Sequence, residues 1–158
     1  MSESDFQDKL LQLQLETIRA GGFDAAPPIK FFKNPSEEVQ LAAVRQRGSS
    51  IQHIENPSEQ VQLTAVETYA YAIKHIENPS EQVQLTAVKK SAWTIKDIEN
   101  PSEQIQLIAV KQNAHVIRSI ASPTEKVQLE AIGQKPHLIV YINPTQKVKD
   151  LFCSLVKE

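Results

Sequence analysis

A dipeptide ending in proline returns along most of this chain at a fixed spacing of 22 residues. An asparagine or a serine precedes each proline, and a last pair, Asn143 and Pro144, follows one residue early. The evenly spaced pairs begin at Asn34, Asn56, Asn78, Asn100 and Ser122. Residues 53–66 are identical to residues 75–88. A fixed period of this length indicates a tandem array of structural repeats that stack on one another.

The start of each repeat carries the signals of a helix N-terminus. Asparagine or serine is a favoured cap, and proline is favoured at the first helical position. A glutamate three residues after the cap completes a capping-box pattern and complements the positive helix end. These glutamates are Glu37, Glu59, Glu81, Glu103 and Glu125. We therefore predict a first helix of about ten residues per repeat, for example residues 57–68, capped by the residue before proline.

A second, shorter helix is predicted in the remainder of each repeat, for example residues 71–77. Isoleucines three residues apart are expected to form one buried stripe along it. The pairs are Ile51/Ile54, Ile73/Ile76, Ile95/Ile98, Ile117/Ile120 and Ile139/Ile142. A helix of about two turns is unstable in isolation, so stacking between repeats must hold it in place.

The predicted fold is all-α: a right-handed α-solenoid of 22-residue two-helix repeats with degenerate terminal caps. We predict a single domain over residues 1–158. An N-terminal capping repeat occupies residues 1–33, where the spacing is stretched near residues 21–24. Five repeats follow in residues 34–142, and residues 143–158 supply a C-terminal capping helix. The outer faces of both caps are expected to meet water.

The repeated core N-P-S-E-x-V-Q-L-x-A-V, which covers residues 34–142, resembles the short helical repeats of the leucine-rich repeat variant group. It is also similar to an uncharacterised tandem-repeat family of large bacterial and viral proteins. The resemblance implies an α-solenoid with a general interaction role. Leucine-rich repeat variant proteins can carry a cysteine-ligated iron–sulfur domain, but this chain has one cysteine, so that feature is not carried over.

One glutamine recurs in every repeat and falls in the middle of the apolar arc of the first helix. The residues are Gln40, Gln62, Gln84, Gln106 and Gln128. Because a buried amide needs hydrogen-bonding partners, we expect each glutamine to bond backbone groups of the turn between repeats. The alternative is that the glutamines line a polar binding channel.

Two variable columns of the short helix are candidate partner-binding residues, because variable positions of a solenoid are free to face a ligand. The first column is Ser49, Tyr71, Trp93, His115 and His137. The second, four residues later, is His53, His75, Asp97, Ser119 and Tyr141. On an α-helix such pairs share a face, which predicts a ridge of aromatic and histidine side chains suited to anchoring a protein. The alternative is that the first column packs between adjacent short helices.

A basic stripe between these columns supports a second interpretation, nucleic-acid binding through phosphate neutralisation. It comprises Lys74, Lys96 and Arg118, with Lys89, Lys90 and Lys111 on the long helices. A solvated charged face is the alternative, and the formal net charge of −2 disfavours a surface devoted to nucleic acid.

No catalytic or metal-binding pattern is present in the sequence. Histidines of neighbouring repeats are expected about 10 Å apart, which is too far for a shared zinc ion. We therefore predict no enzyme, metal or cofactor. Cys153 is expected to be a small apolar core residue of the last helix. The N-terminal residues are acidic and no apolar window is long enough to cross a membrane, so a cytoplasmic location is expected.

The sequence favours a non-enzymatic protein-binding module that uses neither membrane nor cofactor. Identical repeats suggest recent duplication, as in a mobile element or virus, and one hypothesis is a viral protein that inhibits a host protein. A nucleic-acid-binding solenoid is an alternative. A self-assembling structural protein, with end repeats stacked between chains, is another, and the homo-oligomeric state is left open.

Overall fold

A computed structural model describes residues 2–21 and 28–156, and within them every regular element is helical. The α-helices are α1 (Glu3–Ala20), α2 (Glu37–Gln46), α3 (Glu59–Thr68), α4 (Glu81–Lys90), α5 (Glu103–Gln112), α6 (Glu125–Gln134) and α7 (Gln146–Leu155). The 3-10 helices are η1 (Pro28–Phe31), η2 (Gly48–His53), η3 (Ala70–His75), η4 (Ala92–Asp97), η5 (Ala114–Ser119) and η6 (Pro136–Tyr141). The described residues contain no strand, which confirms the all-α prediction.

The helices are grouped in two compact units, residues 1–86 and residues 87–158. In the N-terminal unit, α1 packs on α2, α2 on α3, and η2 on η3. In the C-terminal unit, α5, α6 and α7 pack in succession, as do η4, η5 and η6. Long and short helices therefore stack in successive pairs, the arrangement of an α-solenoid. That all 158 residues form one domain of right-handed sense remains a prediction. Most of the stretched spacing near residues 21–24 lies outside the described residues.

The helix starts lie two residues later than predicted, because the cap is the residue after proline. Its hydroxyl oxygen accepts a hydrogen bond from the backbone N–H three residues on, as between Ser58 and Val61 at 3.4 Å. The caps are Ser36, Ser58, Ser80, Ser102, Thr124 and Thr145. The residue before proline was thus the wrong cap. Asn34, Asn56, Asn78 and Asn100 instead take a left-handed conformation with φ between 47° and 49°, which asparagine tolerates better than most residues.

The glutamate that was predicted to close a capping box instead links neighbouring repeats. In the N-terminal unit Glu37 accepts a hydrogen bond from the hydroxyl of Ser58, and Glu59 accepts one from Ser80. Each of these cap serines therefore also donates to the repeat before it. In the C-terminal unit Lys126 pairs with Glu103 and Lys147 with Glu125, both at 3.8 Å. These exposed ion pairs contribute little, about 0–1 kcal/mol each.

The core consists of small and β-branched side chains contributed identically by each repeat. The third, seventh and eighth residues of α3, Val61, Ala65 and Val66, are fully buried, and the same positions are buried in α2, α4, α5 and α6. The predicted isoleucine stripe is buried in η2 to η5. Ile139 and Ile142 of η6 are only half-buried, because no later short helix of the described chain covers them.

The recurring glutamines close the turns that precede their helices. Each side-chain amide donates to the carbonyl oxygen of the proline five residues earlier, at 2.9–3.0 Å. The carbonyl oxygen of Gln128 also accepts from the backbone N–H of Thr145 in the next repeat, at 3.4 Å. The same oxygen of Gln106 is buried without a hydrogen-bond partner among the described residues.

Replacing Gln128 with leucine should therefore cost more than replacing Gln106. Gln128→Leu leaves a proline carbonyl and a backbone N–H without partners, which should lower the free energy of unfolding by about 1–3 kcal/mol. Gln106→Leu loses one bond but also removes an unpaired buried oxygen, so its cost should be smaller. Urea denaturation of both variants, with exposed Gln104→Leu as the control, measures the difference. An equal cost, or the reverse order, would contradict this assignment.

The left-handed asparagines should be sensitive to a side chain that disfavours positive φ. Asn56→Ala should destabilise the protein by about 1 kcal/mol, and Asn56→Gly by much less, because glycine accepts φ of 47° freely. Ser122 occupies the same position without a positive φ, so Ser122→Ala serves as the matched control. Thermal unfolding distinguishes the three variants, and equal effects of Asn56→Ala and Asn56→Gly would rule out backbone strain as the cause.

Candidate functional site

The short helices are 3-10 helices, and this geometry changes which variable residues share a face. With three residues per turn, positions three apart lie one above the other, while positions four apart are about a third of a turn away. The predicted pairing of Tyr71 with His75, and of each equivalent pair, on one face was therefore wrong. Tyr71 shares its face with Lys74 instead. Within each short helix, the first-column residue and the residue three positions later therefore lie on the same face.

The structure places the predicted side chains at or near the surface. In the first column Ser49, Tyr71, Trp93 and His115 are half-buried and His137 is exposed. In the second column His53 and Tyr141 are exposed, and His75, Asp97 and Ser119 are half-buried. The residues three after the first column, Gln52, Lys74, Lys96, Arg118 and Val140, are all exposed.

In the C-terminal unit these side chains contact one another across successive short helices. The guanidinium carbon of Arg118 in η5 lies 5.3 Å from the ring centroid of Trp93 in η4, within the range of a cation–π interaction. The rings of His115 and His137 are tilted at 46° with centroids 5.6 Å apart. Together with Lys96 of η4, we call these residues the C-terminal ridge: Trp93, Lys96, His115, Arg118 and His137.

The C-terminal ridge carries positive charge that no ion pair among the described residues neutralises. Neither Lys96 nor Arg118 forms an ion pair with a carboxylate of the described residues. The C-terminal unit has ten lysines and arginines against seven acidic residues, a formal charge of +3. The N-terminal unit has seven against twelve, a formal charge of −5. The net charge of −2 therefore conceals a basic and an acidic unit.

The N-terminal unit presents a pair of tyrosines, of which only Tyr71 belongs to a predicted column. Tyr69 is 44% exposed, and its ring centroid lies 5.8 Å from that of Tyr71. Tyr69 sits between α3 and η3, outside both predicted columns, although its equivalents Arg47, Asn113 and Lys135 vary as binding positions do. A shallow cavity of about 510 Å³ lies beside it, lined in part by Gln46, Lys74 and His75.

His75 combines partial burial with positive neighbours. Desolvation lowers the pKa of its imidazole below the usual value of 6.5, and the charges of Lys74 and His53 lower it further. It lines the cavity beside Tyr69. It also borders a polar groove of about 660 Å³ at the turns, where Glu55 and Glu77 lie.

The glutamine column offers little to a ligand. Gln62 lines the polar groove of the N-terminal unit, and Gln128 lines a smaller cavity of about 320 Å³ in the C-terminal unit. In both residues the amide N–H already donates to a proline carbonyl. The structure therefore gives the glutamines a role in closing turns.

The basic residues of the long helices lie at helix C-termini. Lys89 and Lys90 end α4, Lys111 lies in the last turn of α5, and all three are exposed. Cations are stabilised there by the helix dipole, which explains their placement without a ligand. The side chain of Gln112 donates to the backbone carbonyl of Lys89 at 3.1 Å, so this edge also helps the repeats to stack.

Cys153 is exposed, so its assignment to the core was wrong. It occupies the position filled by Ile132 in α6 and Val110 in α5, both fully buried. In α7 the described chain places no later long helix over that position, and the thiol is left at the surface.

Searches of known protein families, of curated proteins and of solved structures gave no match to this chain. Among the described residues, no three His, Cys, Asp or Glu side chains are grouped closely enough to hold a metal ion. No helix in that part of the chain combines the length and hydrophobicity that crossing a membrane requires. The candidate binding surfaces are therefore identified from the position, exposure and charge of their own side chains.

The environment of His75 predicts a measurable titration. Its pKa, followed by NMR and assigned with His75→Gln, should lie below 6.5, and Lys74→Gln should raise it without restoring 6.5, because burial is the larger cause. Lys30→Gln should leave it unchanged. Since the folded protein holds this proton less tightly than the unfolded chain, stability should fall as pH drops from 6.5 through the lowered pKa. A pKa at or above 6.5 would contradict this environment.

Proposed function

We propose that this chain is a non-enzymatic protein-binding module and that the C-terminal ridge is its contact surface. The observation that carries the proposal is the contact of Arg118 with the half-exposed ring of Trp93. Tryptophan and arginine are the residues most enriched among binding hot spots. The contact between them also restrains two long side chains before a partner arrives, which lowers the entropy lost on binding.

The chemistry of the ridge favours an acidic partner segment. Lys96 and Arg118 are exposed and lack ion pairs within the described residues. A guanidinium group binds carboxylates in a planar, bidentate manner. Trp93 supplies an apolar anchor beside these charges, so a segment that alternates acidic and apolar side chains fits the surface best.

Nucleic acid is the second candidate, supported by the formal charge of +3 on the C-terminal unit. Basic grooves that bind single strands also offer aromatic rings on which bases stack. Against it, the guanidinium group of Arg118 already covers one face of the Trp93 ring. Lys89 and Lys111 lie at helix C-termini, where the helix dipole stabilises a positive charge without a ligand.

The identity of residues 53–66 with residues 75–88 supports a recent duplication. Rapid change of this kind suits a protein of a virus or mobile element whose partner is a host protein. A binding surface on a repeat scaffold would then act by occupying that partner, and the chain would work in the cytoplasm as an inhibitor.

Affinity capture from host lysate, with and without nuclease treatment, tests the proposal. We expect one protein to be captured stoichiometrically and to survive nuclease. Its affinity for purified Trp93→Ala should fall by roughly thirtyfold, the loss of about 2 kcal/mol typical of a hot spot, and Lys96→Glu should also weaken binding.

Lys149→Glu, an exposed charge reversal on α7, is the matched control and should bind normally. Circular dichroism checks that each variant folds. If nuclease treatment abolishes the capture, and the capture depends on Lys96 but not on Trp93, then the ligand is a nucleic acid and not a protein. A captured protein that binds Trp93→Ala and Lys96→Glu normally would show that the ridge is not the contact surface.

A further inference from the structure

Helix α1 has an apolar face that nothing in the described structure covers. Leu15 and Ile18 are buried on its inner side, where it packs on α2 and η1. On another side Phe6, Leu10 and Leu13 are 47%, 38% and 61% exposed. Their spacings of four and three residues align them along one face of an α-helix. A cap helix that meets only water would carry polar residues there.

Aligning the sequence of α1 with the later long helices shows which repeat position its apolar face occupies. Leu13 stands where Val39, Val61 and Val83 stand in α2, α3 and α4, and those valines are fully buried. Helix α1 therefore exposes the position that later long helices bury between repeats. At the other end, α7 places Lys149 and Cys153 where α6 has the buried Gln128 and Ile132, so its exposed face is more polar than that of α1, although Leu155 and Val156 are exposed at its C-terminal end.

The C-terminal unit nevertheless exposes apolar residues of its own on η6. Val140 and Tyr141 are 75% and 56% exposed, and Ile139 and Ile142 are half-buried although their equivalents Ile117 and Ile120 are buried. Two lysines lie next to this surface in the fold, since Lys135 directly precedes η6 and α7, which packs on η6, carries Lys149.

We propose that α1 of one copy docks on η6 of a second copy, in a head-to-tail contact. Charge selects this occupant, because α1 carries Glu3, Asp5 and Asp8 in a unit of formal charge −5, whereas η6 belongs to a unit of +3. Pairing α1 with another α1 would bring two acidic units together. The head-to-tail contact brings opposite charges together and covers both apolar surfaces.

The contact does not require a partner on the C-terminal ridge, although the two surfaces adjoin on η6, where His137 and Val140 share a face, and it is small. Stable interfaces bury about 800 Å² per partner, more than five or six exposed side chains supply, so association should be weak and concentration-dependent. A head-to-tail contact leaves one free end of each kind and therefore permits chains longer than two. Because opposite charges contribute, association should weaken as salt is raised.

Sedimentation velocity of the full chain, over a range of concentrations at low and at high salt, tests the proposal. Mass should rise above the 17.7 kDa monomer with concentration and fall back with salt. Leu13→Gln and Val140→Gln keep the charge and remove one apolar surface each, so each variant alone should remain monomeric. Mixed in equal amounts they should form a dimer and nothing larger, because each supplies the surface that the other lacks.

Gln12→Ala, on the charged side of α1, is the matched control and should associate like the unaltered chain. Thermal unfolding confirms that the variants remain folded, as their exposed positions lead us to expect. A chain that stays monomeric at every concentration would overturn the proposal. Association that survives Val140→Gln would overturn it as well, because α1 would then be pairing with itself.

Discussion

The short helices impose the constraint on which the rest of this structure depends. Each of η2 to η6 has six residues, and a 3-10 helix of that length does not persist alone, because its hydrogen bonds are poorly aligned. In η2 to η5 it is stable because one isoleucine, such as Ile73, is buried, and in η6 Leu138 is buried instead. That burial requires neighbouring repeats, so no repeat can fold without others. The glutamate–serine bonds of the N-terminal unit then link neighbouring repeats, and the glutamine–proline bonds close the turn before each long helix.

The sequence predicted the fold because period and composition agree at every repeat, but it did not predict the local geometry. Asparagine and serine are equally good caps, and both flank the proline. The chain resolves the choice by reversing direction at Asn56, whose φ of 47° lies outside the range of a cap. Serine two residues later takes the extended conformation that a cap needs. Cap propensity alone does not distinguish asparagine from serine, because the backbone conformation of the turn determines which of them caps the helix.

The sequence singled out the residues of the C-terminal ridge, but it did not predict which of them share a face. Isoleucines three apart fit an α-helix and a 3-10 helix alike, yet the choice decides whether Tyr71 pairs with His75 or Lys74. The sequence did not point to Tyr69, because this residue lies between two helices and outside both columns of variable residues. Cys153 was misplaced for a different reason: burial at its position comes from the next repeat, which a helical wheel of one helix does not include.

The 3-10 geometry also explains how one scaffold carries different chemistry in each repeat. Residues at the isoleucine positions are buried, so they cannot change without a cavity or a clash. The two positions that share the outer face are exposed or half-buried and so less restrained, and they hold Trp93 with Lys96, His115 with Arg118, and His137 with Val140. The face drifts from basic and aromatic towards apolar along the C-terminal unit while the core stays constant. Stacking of the core therefore does not restrict the side chains on this face.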